Sequence, residues 1–237
     1  NTANADFGIA LTIHKGFSPG SGLGSSAASA AGAAFGANQL LGDIYSDLEL
    51  TKFAMFGEKV ACGSAIADNV AAAIFGGFIL VRSYEPLEII KLPVPSELRV
   101  VAIHPQISIK TKDARAVLPT EIALKDAVTQ WANVGGLISG LYTDNNNLIS
   151  NSLVDIIAEP ARKSLIPFFD DIKNSATKAG ALGAGISGSG PTVFALCEGD
   201  IIAKAVYKSI EESYKNTGIN FEMFISKVNH KGIKIIK

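Results

Sequence analysis

The segment Pro19–Ala28, with the sequence PGSGLGSSAA, constrains this chain more than any other. It lies between a stretch of alternating apolar residues and a long run of small residues that predicts a helix. Gly20, Gly22 and Gly24 would let the backbone approach a bulky anion, because glycine has no Cβ. The free N–H groups and the positive dipole end of the helix that follows would face the same anion. This pattern predicts a binding site for the phosphate chain of a nucleotide.

The residues expected to bind the nucleotide form one unbroken run. They are Pro19, Gly20, Ser21, Gly22, Leu23, Gly24, Ser25 and Ser26. The two serines that end the run could cap the helix, contact a phosphate oxygen, or reach a metal bound to the phosphate. The alternative is a Gly/Ser loop with a serine N-cap and no ligand. We favour the phosphate site because a strand-like segment, a glycine loop and a helix start occur here in the required order.

Composition limits the classes of protein to consider. The chain has 237 residues, 48% of them hydrophobic, and a formal net charge of −1. Such a length suits one large domain or two small ones, and such a charge does not suggest a nucleic-acid-binding surface. Cys62 and Cys197 lie too far apart for a zinc pattern or a disulfide framework, which favours a reducing, cytoplasmic location. No apolar run is long enough to span a bilayer.

Hydrophobic periodicity predicts strands and helices in mixed order, which favours an α+β fold over a doubly wound sheet. Alternation over Phe7–His14 predicts a first strand, and Asp47 is the expected N-cap of the second helix. A change in composition near residues 92–100 suggests two domains, 1–95 and 96–237. Further strands are predicted over 77–83, 87–92, 99–104, 192–197, 220–228 and 232–236. Helices are predicted over 23–41, 48–61, 120–157 (broken at Gly135-Gly136 and at Asp144–Asn147), 161–169, 170–179 and 200–216.

A second glycine cluster, Gly183–Pro191, contains the spacing G-x-G-x-x-G of dinucleotide-binding folds. That interpretation requires a helix directly after the glycines, whereas Pro191 and the strand-like residues Thr192–Phe194 follow here. The cluster therefore predicts a tight turn that approaches a ligand or another loop, with a simple packed β-turn as the alternative. The chain also lacks the Walker A pattern G-x-x-x-x-G-K-[ST].

Three polar residues in the first half of the chain could carry chemistry. Glu58 could bind Mg²⁺ together with a serine hydroxyl of the loop, or it could be a solvated carboxylate on a helix. Asp68 lies in a segment that we expect to be buried, where it could accept a proton from an attacking hydroxyl. Asn69 could orient that hydroxyl. The alternative for both residues is an Asx-turn at a helix start.

Two arginines are candidates for binding a carboxylate, because the planar guanidinium suits a bidentate contact. Arg115 lies in the segment Thr111–Pro119, and Arg162 follows Glu159-Pro160-Ala161. Surface salt bridges are the alternative for both. His14, His104 and His230 have no catalytic setting in the sequence.

Together these segments resemble the GHMP small-molecule kinases, and among them the homoserine kinases. The resemblance covers nearly the whole chain, and the segments that carry it are Gly22–Ala28, Ala67–Val70 with Ile74–Phe78, Thr111–Pro119, Glu159–Arg162 with Leu165–Pro167, and Gly185–Pro191. It implies an α+β fold of two-layer domains, in which the N-terminal domain is ribosomal-protein-S5-like and truncated at its start and the C-terminal domain is ferredoxin-like. It also implies phosphorylation of the L-homoserine hydroxyl with ATP and Mg²⁺, a cytoplasmic location and a homodimer.

The resemblance also implies roles for the candidate residues. Ser26 (or Ser25) and Glu58 would hold Mg²⁺, and Gly188 would join the first glycine loop at the nucleotide. The remaining residues would act on the acceptor: Asp68 and Asn69 flank its hydroxyl, and Thr111, Arg115 and Arg162, again with Asn69, bind the amino acid.

The sequence departs from the family pattern in two respects. Ile66 stands where members of this family commonly have a histidine, and a preceding segment with a substrate-binding asparagine is expected to be absent. Two other functions therefore stay open at this point. One is a kinase of the same family for a sugar or a mevalonate-like acid, and the other is a nucleotide-binding sensor without turnover.

Overall fold

The structure is a computed structural model that describes residues 6–236, apart from the side chains of Ala61 and Cys62. The described residues form two compact units. The first contains those within Asn1–Pro19, Gly24–Leu92 and Asn229–Lys237, and the second contains Gly20–Leu23 and Pro93–Val228. The division between Leu92 and Pro93 lies near the expected boundary at residue 95, but two short segments group with the other unit. The assignment of domains 1–95 and 96–237 stays a prediction.

Three helices form the core of the first unit: α1 (Ser25–Leu40), α2 (Asp47–Cys62) and α3 (Asp68–Phe75). Small side chains dominate α1, and they let the neighbouring helices approach closely. The shared core is composed of Ala27, Ala31, Leu50, Ala54, Val70 and Ile74.

The start of α2 differs from the prediction by one residue. Ser46, not Asp47, is the N-cap, and it forms a capping box with Glu49 in which each side chain accepts from the other residue's backbone N–H. Asp47 lies in the first turn, where a negative charge interacts favourably with the helix dipole.

A hairpin follows the helices: β1 (Phe78–Tyr84) pairs antiparallel with β2 (Leu87–Leu92). The predicted closing strand over residues 232–236 is wrong, since this segment has no strand structure. Loop contacts hold the region instead. The Gly77 N–H donates to the Asn229 carbonyl at 2.7 Å, and Lys91 Nζ donates to the carbonyls of Phe75 and His230 at 2.8 Å each.

The predicted strand over Phe7–His14 is also wrong. None of the described strands pairs with this segment, and its alternating side chains Phe7, Ile9, Leu11 and Ile13 are 47–54% exposed. Alternation fits a half-buried strand, but a strand forms only where another strand satisfies its backbone hydrogen bonds.

The second unit contains a four-stranded antiparallel sheet in the order β4-β5-β3-β6, formed by β3 (Leu98–Pro105), β4 (Gly183–Ile186), β5 (Val193–Glu198) and β6 (Phe221–Lys227). The helices α8 (Phe169–Lys178) and α9 (Gly199–Tyr214) pack on it around a core that includes Val101, Ile103, Ile172, Val206 and Ile210. Along the chain these six elements occur in the order β3, α8, β4, β5, α9 and β6, which is the ferredoxin-like order. The α+β prediction is confirmed.

Four shorter or peripheral helices connect β3 to α8. They are α4 (Thr111–Ala116), α5 (Leu124–Thr143), α6 (Asn146–Ser152) and α7 (Ala158–Arg162), and a 3₁₀ turn, Lys163–Leu165, follows α7. The predicted break at Gly135-Gly136 is wrong, because α5 continues through it, whereas the predicted break at Asp144–Asn147 is confirmed, because α5 ends at Thr143 and α6 begins at Asn146. A Cβ on Gly136 would lie 2.3 Å from the Ser152 hydroxyl, so the absence of a side chain there lets α5 pack closely against α6. Among the described helices, none combines the length and hydrophobicity needed to cross a membrane.

Candidate functional site

The glycine loop has a backbone conformation that favours glycine. Gly20, Gly22 and Gly24 have φ values of 77°, 80° and 73°, in the left-handed region that other residues avoid. The surroundings of Gly22 leave no room for a side chain, since a Cβ there would lie 2.6 Å from the Ser187 carbonyl oxygen and 2.7 Å from that of Gly190. The loop conformation therefore depends on glycine both for its dihedral angles and for its close packing.

The helix that the loop opens presents an uncapped end. Gly24 is the N-cap of α1, no side chain caps the helix, and its first turn contains no acidic residue. The first intrahelical bond runs from the Ala28 N–H to the Gly24 carbonyl at 2.8 Å, so the preceding N–H groups point out of the helix end. A serine N-cap, the alternative considered from the sequence, is thus wrong. This helix end has the geometry of an anion site.

The two serines after the loop make contacts of a different kind. Ser26 Oγ donates to Glu58 Oε2 at 3.2 Å, and Glu58 on α2 is only 8% exposed. Ser25 Oγ donates to the Phe17 carbonyl at 3.4 Å and accepts from Lys15 Nζ at 3.2 Å. A buried carboxylate next to a hydroxyl at a phosphate-type loop is a suitable oxygen donor set for Mg²⁺, which takes one or two protein oxygens and completes its shell with phosphate and water. The solvated-carboxylate alternative for Glu58 is wrong.

The second glycine cluster contacts the first, within the second unit. The turn at residues 187–190 joins β4 to β5, and no helix follows it, which confirms the rejection of a dinucleotide-binding motif. Ser187 Oγ donates to the Gly22 carbonyl at 2.8 Å, and both the hydroxyl and the N–H of Thr192 donate to the Ser21 carbonyl, at 2.6 and 3.2 Å. The prediction that this turn approaches another loop is confirmed, and that loop is the phosphate-type loop.

Asp68 and Asn69 form the first turn of α3. The expectation of a buried segment is wrong for these two residues, because both are exposed. Asp68 Oδ1 accepts from the Asn69 N–H at 2.7 Å. Asn69 lies at the end of the glycine loop, since a Cβ on Gly24 would be 3.3 Å from its Oδ1. The Asn69 amide therefore lies against Gly24, and both side chains stand on an accessible helix start.

The two arginines and their neighbours lie in the second unit. The Arg162 guanidinium donates from Nε to the Ala114 carbonyl and from Nη1 to the Gly188 carbonyl, both at 3.0 Å. These bonds join α4, which carries Thr111 and Arg115, to the second glycine turn. Thr111 and Arg115 are exposed. A guanidinium has five N–H donors, so two carbonyl contacts leave Arg162 able to bind a carboxylate as well.

Comparison with known proteins assigns the chain to a family. Residues 1–77 match the GHMP kinases N terminal domain, and residues 136–216 match the GHMP kinases C terminal model. A homoserine kinase of Chlorobium phaeovibrioides is 46% identical over 230 residues, which are 96% of this chain and 72% of that protein. The chain belongs to the GHMP kinase family.

Two solved structures are similar to the chain. The crystal structure of homoserine kinase from Cytophaga hutchinsonii superposes with a TM-score of 0.91 at 50% identity, over 94% of this chain and 70% of that one. The mevalonate kinase of L. major, solved in complex with R-mevalonate, shares only 17% identity with a TM-score of 0.67, over 84% of this chain and 65% of that one, and thus shows the common fold alone.

A cavity of about 230 Å³ in the second unit of this GHMP kinase adjoins Arg162. Its wall includes Arg162 and Gly188, together with Glu159 and the apolar side chains Val134, Leu153 and Phe194. Glu159 forms an ion pair with Lys173. A small molecule with both a charged and an apolar part would fit such a lining.

Sequence reasoning missed three residues of the site. The first is Lys15, whose ammonium contacts the Ser25 hydroxyl. Its position in the sequence, a few residues before the glycine loop, could have identified it as a cation near the phosphate site. Thr192 and His104 had no local signal, because their contact joins residues 88 positions apart. Burial lowers the pKa of the His104 imidazole, and the opposing effect of Glu222 is smaller.

The described residues contain no cluster of three or more His, Cys, Asp or Glu side chains that could hold a metal. Cys197 is fully buried in β5, and burial raises the pKa of its thiol to about 11.

Proposed function

We propose that this GHMP kinase transfers the γ-phosphoryl group of ATP to the side-chain hydroxyl of L-homoserine, giving O-phospho-L-homoserine and ADP on the route to threonine. Curated homoserine kinases that are 43–47% identical over 96% of the chain support this assignment. The observation that carries it is the uncapped start of α1, with a glycine-lined loop before it and the Ser26–Glu58 pair beside it.

The glycine loop, Pro19–Leu23, and the first turn of α1 bind the nucleotide in this proposal. Gly24, Ser25 and Ser26 direct backbone N–H groups and the positive helix end toward the phosphates, where hydrogen bonds from a fixed backbone cost no reorganisation during transfer. Gly188 belongs to the turn that supports the loop. Phosphoryl transfer depends mainly on such positioning and charge neutralisation.

Glu58 and Ser26 are the proposed protein ligands of Mg²⁺. The bound ion would supply charge neutralisation at the phosphates during transfer. Glu58 is buried and contacts the Ser26 hydroxyl, so its carboxylate has a fixed position on α2 toward the start of α1.

Asp68 and Asn69 act on the acceptor hydroxyl. Asp68 is exposed at the start of α3, which leaves its second oxygen accessible to accept a proton or orient the hydroxyl. Asn69 lies against Gly24 and can hold the hydroxyl by its amide.

Thr111, Arg115 and Arg162 bind the amino-acid end of the acceptor. Arg162 has a fixed orientation through the carbonyls of Ala114 and Gly188, and this pre-organised fork suits a carboxylate. The family resemblance adds a homodimer and a cytoplasmic location to the proposal.

The decisive experiment measures ADP release with Mg·ATP and a panel of acceptors: L-homoserine, a sugar and mevalonate. We expect turnover with L-homoserine to exceed that with the other acceptors by orders of magnitude. Nucleotide binding without ADP release on any acceptor would contradict the proposal and favour a sensor.

Asp68→Ala should lower kcat by about 10²-fold or more, the usual scale for a general base. Asp47→Ala is the matched control, because Asp47 is also an exposed acid in the first turn of a helix, and it should leave kcat unchanged. Equal turnover of the two variants would make Asp68 a helix-start residue only.

Arg115→Ala should raise KM for L-homoserine far more than KM for ATP, since the guanidinium binds the acceptor carboxylate in the proposal. Arg82→Ala, which removes an exposed arginine paired with Glu88, is the control. Similar increases of both KM values would remove the carboxylate role of Arg115.

A further inference from the structure

A buried imidazole lies behind the nucleotide loop, in a position that the mechanism above does not use. His104 near the end of β3 is 4% exposed, Thr192 is fully buried, and Ser21 in the loop is 1% exposed. His104 Nδ1 lies 3.2 Å from Thr192 Oγ1, which in turn lies 2.6 Å from the Ser21 carbonyl oxygen. These three residues form a continuous polar contact in an otherwise buried part of the second unit.

The direction of the hydrogen bonds follows from the chemistry of the groups. The Ser21 carbonyl can only accept, so the single hydroxyl proton of Thr192 lies on the Thr192–Ser21 bond. Thr192 Oγ1 can then only accept from His104, which requires a proton on Nδ1. Burial favours the neutral imidazole by lowering its pKa, and the neutral ring with a proton on Nδ1 carries none on Nε2.

The chain of bonds fixes one peptide group of the loop. The Ser21 carbonyl accepts two bonds from Thr192, from its hydroxyl and from its N–H. The peptide between Ser21 and Gly22 is trans and planar, so the Gly22 N–H points away from the carbonyl and from Thr192. Rotation of this peptide would redirect a backbone donor of the nucleotide loop.

We propose that His104 is a positioning residue for nucleotide binding: its Nδ1–H fixes the Thr192 hydroxyl, which holds the Ser21 peptide so that the Gly22 N–H faces the phosphates. The inference rests on the proposed nucleotide role of the loop. His104 does not contact the substrate and transfers no proton in the reaction. Glu222, its cross-strand partner on β6, is the acidic group that bears on its charge.

Two pairs of variants test the proposal. His104→Leu removes the donor, whereas His104→Asn keeps an amide N–H near the place of Nδ1. Thr192→Val removes the hydroxyl with the shape conserved, whereas Thr192→Ser keeps it. Ile210→Val, in the core of the same unit, controls for a general loss of stability.

The first measurement is the dissociation constant of Mg·ADP by calorimetry, together with both KM values. Loss of a buried hydrogen bond should weaken binding about tenfold for Thr192→Val and about fivefold for His104→Leu. Thr192→Ser and His104→Asn should retain most of the affinity. KM for ATP should rise with the dissociation constant, and KM for L-homoserine should stay constant.

The second measurement is the ¹⁵N NMR spectrum of the imidazole in the free protein, where Nδ1 should have the shift of a protonated nitrogen and Nε2 that of an unprotonated one. An unprotonated Nδ1, wild-type affinity in Thr192→Val, or an equal loss in Ile210→Val would overturn the proposal. So would equal affinities of the Leu and Asn variants of His104. If wild-type protein does not bind Mg·ADP, the proposed function fails as well, whereas unchanged binding in the variants alone refutes only the role of His104.

Discussion

The two glycine-rich segments of this kinase have similar composition and opposite structural roles. Pro19–Ser26 leads into α1 and leaves the backbone donors of a helix end uncapped, whereas residues 183–190 run from β4 through a turn toward β5. The first segment has the geometry to bind an anion, and the second donates a hydrogen bond, from Ser187, to the Gly22 carbonyl of the first. The spacing of the glycines does not distinguish the two roles. The element that follows each segment does distinguish them, because a helix follows the first segment and a strand follows the second.

We expect the largest effect from a substitution at a glycine of the first segment, compared with a substitution at a glycine inside a helix. Gly22→Ala places a Cβ within 2.6–2.7 Å of two carbonyl oxygens at φ 80°, so we expect a stability loss of about 2–3 kcal/mol and a fall in kcat/KM for ATP of about 10²-fold or more. Thermal unfolding and steady-state kinetics measure the two effects.

Gly32→Ala is the control for this change. Gly32 lies inside α1, and a Cβ there would meet nothing within 4 Å. Helix propensity predicts a gain of about 0.5–1 kcal/mol with unchanged kinetics. A similar response of the two variants would mean that the loop tolerates side chains and does not depend on its glycines.

The next substitution tests the uncapped start of α1, which only the first segment leads into, and we expect a smaller effect from it. Glu58→Gln removes the charge beside Ser26 and should lower kcat by about 10²-fold at low Mg²⁺, with partial recovery as Mg²⁺ is raised. Glu49→Gln, on the same helix, keeps the capping box of α2 and should behave as wild type at every Mg²⁺ concentration. An activity of Glu58→Gln that does not depend on Mg²⁺ would show that Glu58 is not a ligand.

The smallest effect tests the support that the second segment gives to the first. Ser187→Ala removes the hydrogen bond to the Gly22 carbonyl, which should cost about 1 kcal/mol and weaken ATP binding about fivefold. Ser209→Ala removes a similar bond, from Ser209 Oγ to the Ser175 carbonyl at 3.1 Å, and should lower stability without a change in ATP binding. Equal binding by both variants would mean that the turn does not shape the loop.

Features that depend on neighbouring residues were predictable from the sequence. The start of α1 after three glycines and the hairpin strand after Pro191 were both expected. The N-cap of α2 was wrong by one residue, and the larger failures involve long-range partners. The alternation over Phe7–His14 predicted a strand, but a strand also needs a pairing partner, and none of the described strands pairs with this segment. The pair Gly135-Gly136 predicted a helix break, but α5 continues through it and Gly136 packs against α6.

In the candidate site, too, local features were predictable from the sequence and long-range contacts were not. The residue types at Gly22–Ser26, Glu58 and Asp68 indicate chemistry by themselves, so local reasoning could select them. His104 carries no such indication, because its role depends on a hydroxyl 88 positions away. The exposure of Asp68 also escaped prediction, since the apolar residues around it in sequence suggested burial.

The thiol of Cys197 has a consequence for handling this kinase. With a pKa of about 11, only about one in 10⁴ of these thiols is the nucleophilic thiolate at neutral pH, and the side chain is fully enclosed. Alkylating reagents and peroxide should therefore not react at this position in the native protein, and labelling of Cys197 would report unfolding of the four-stranded sheet.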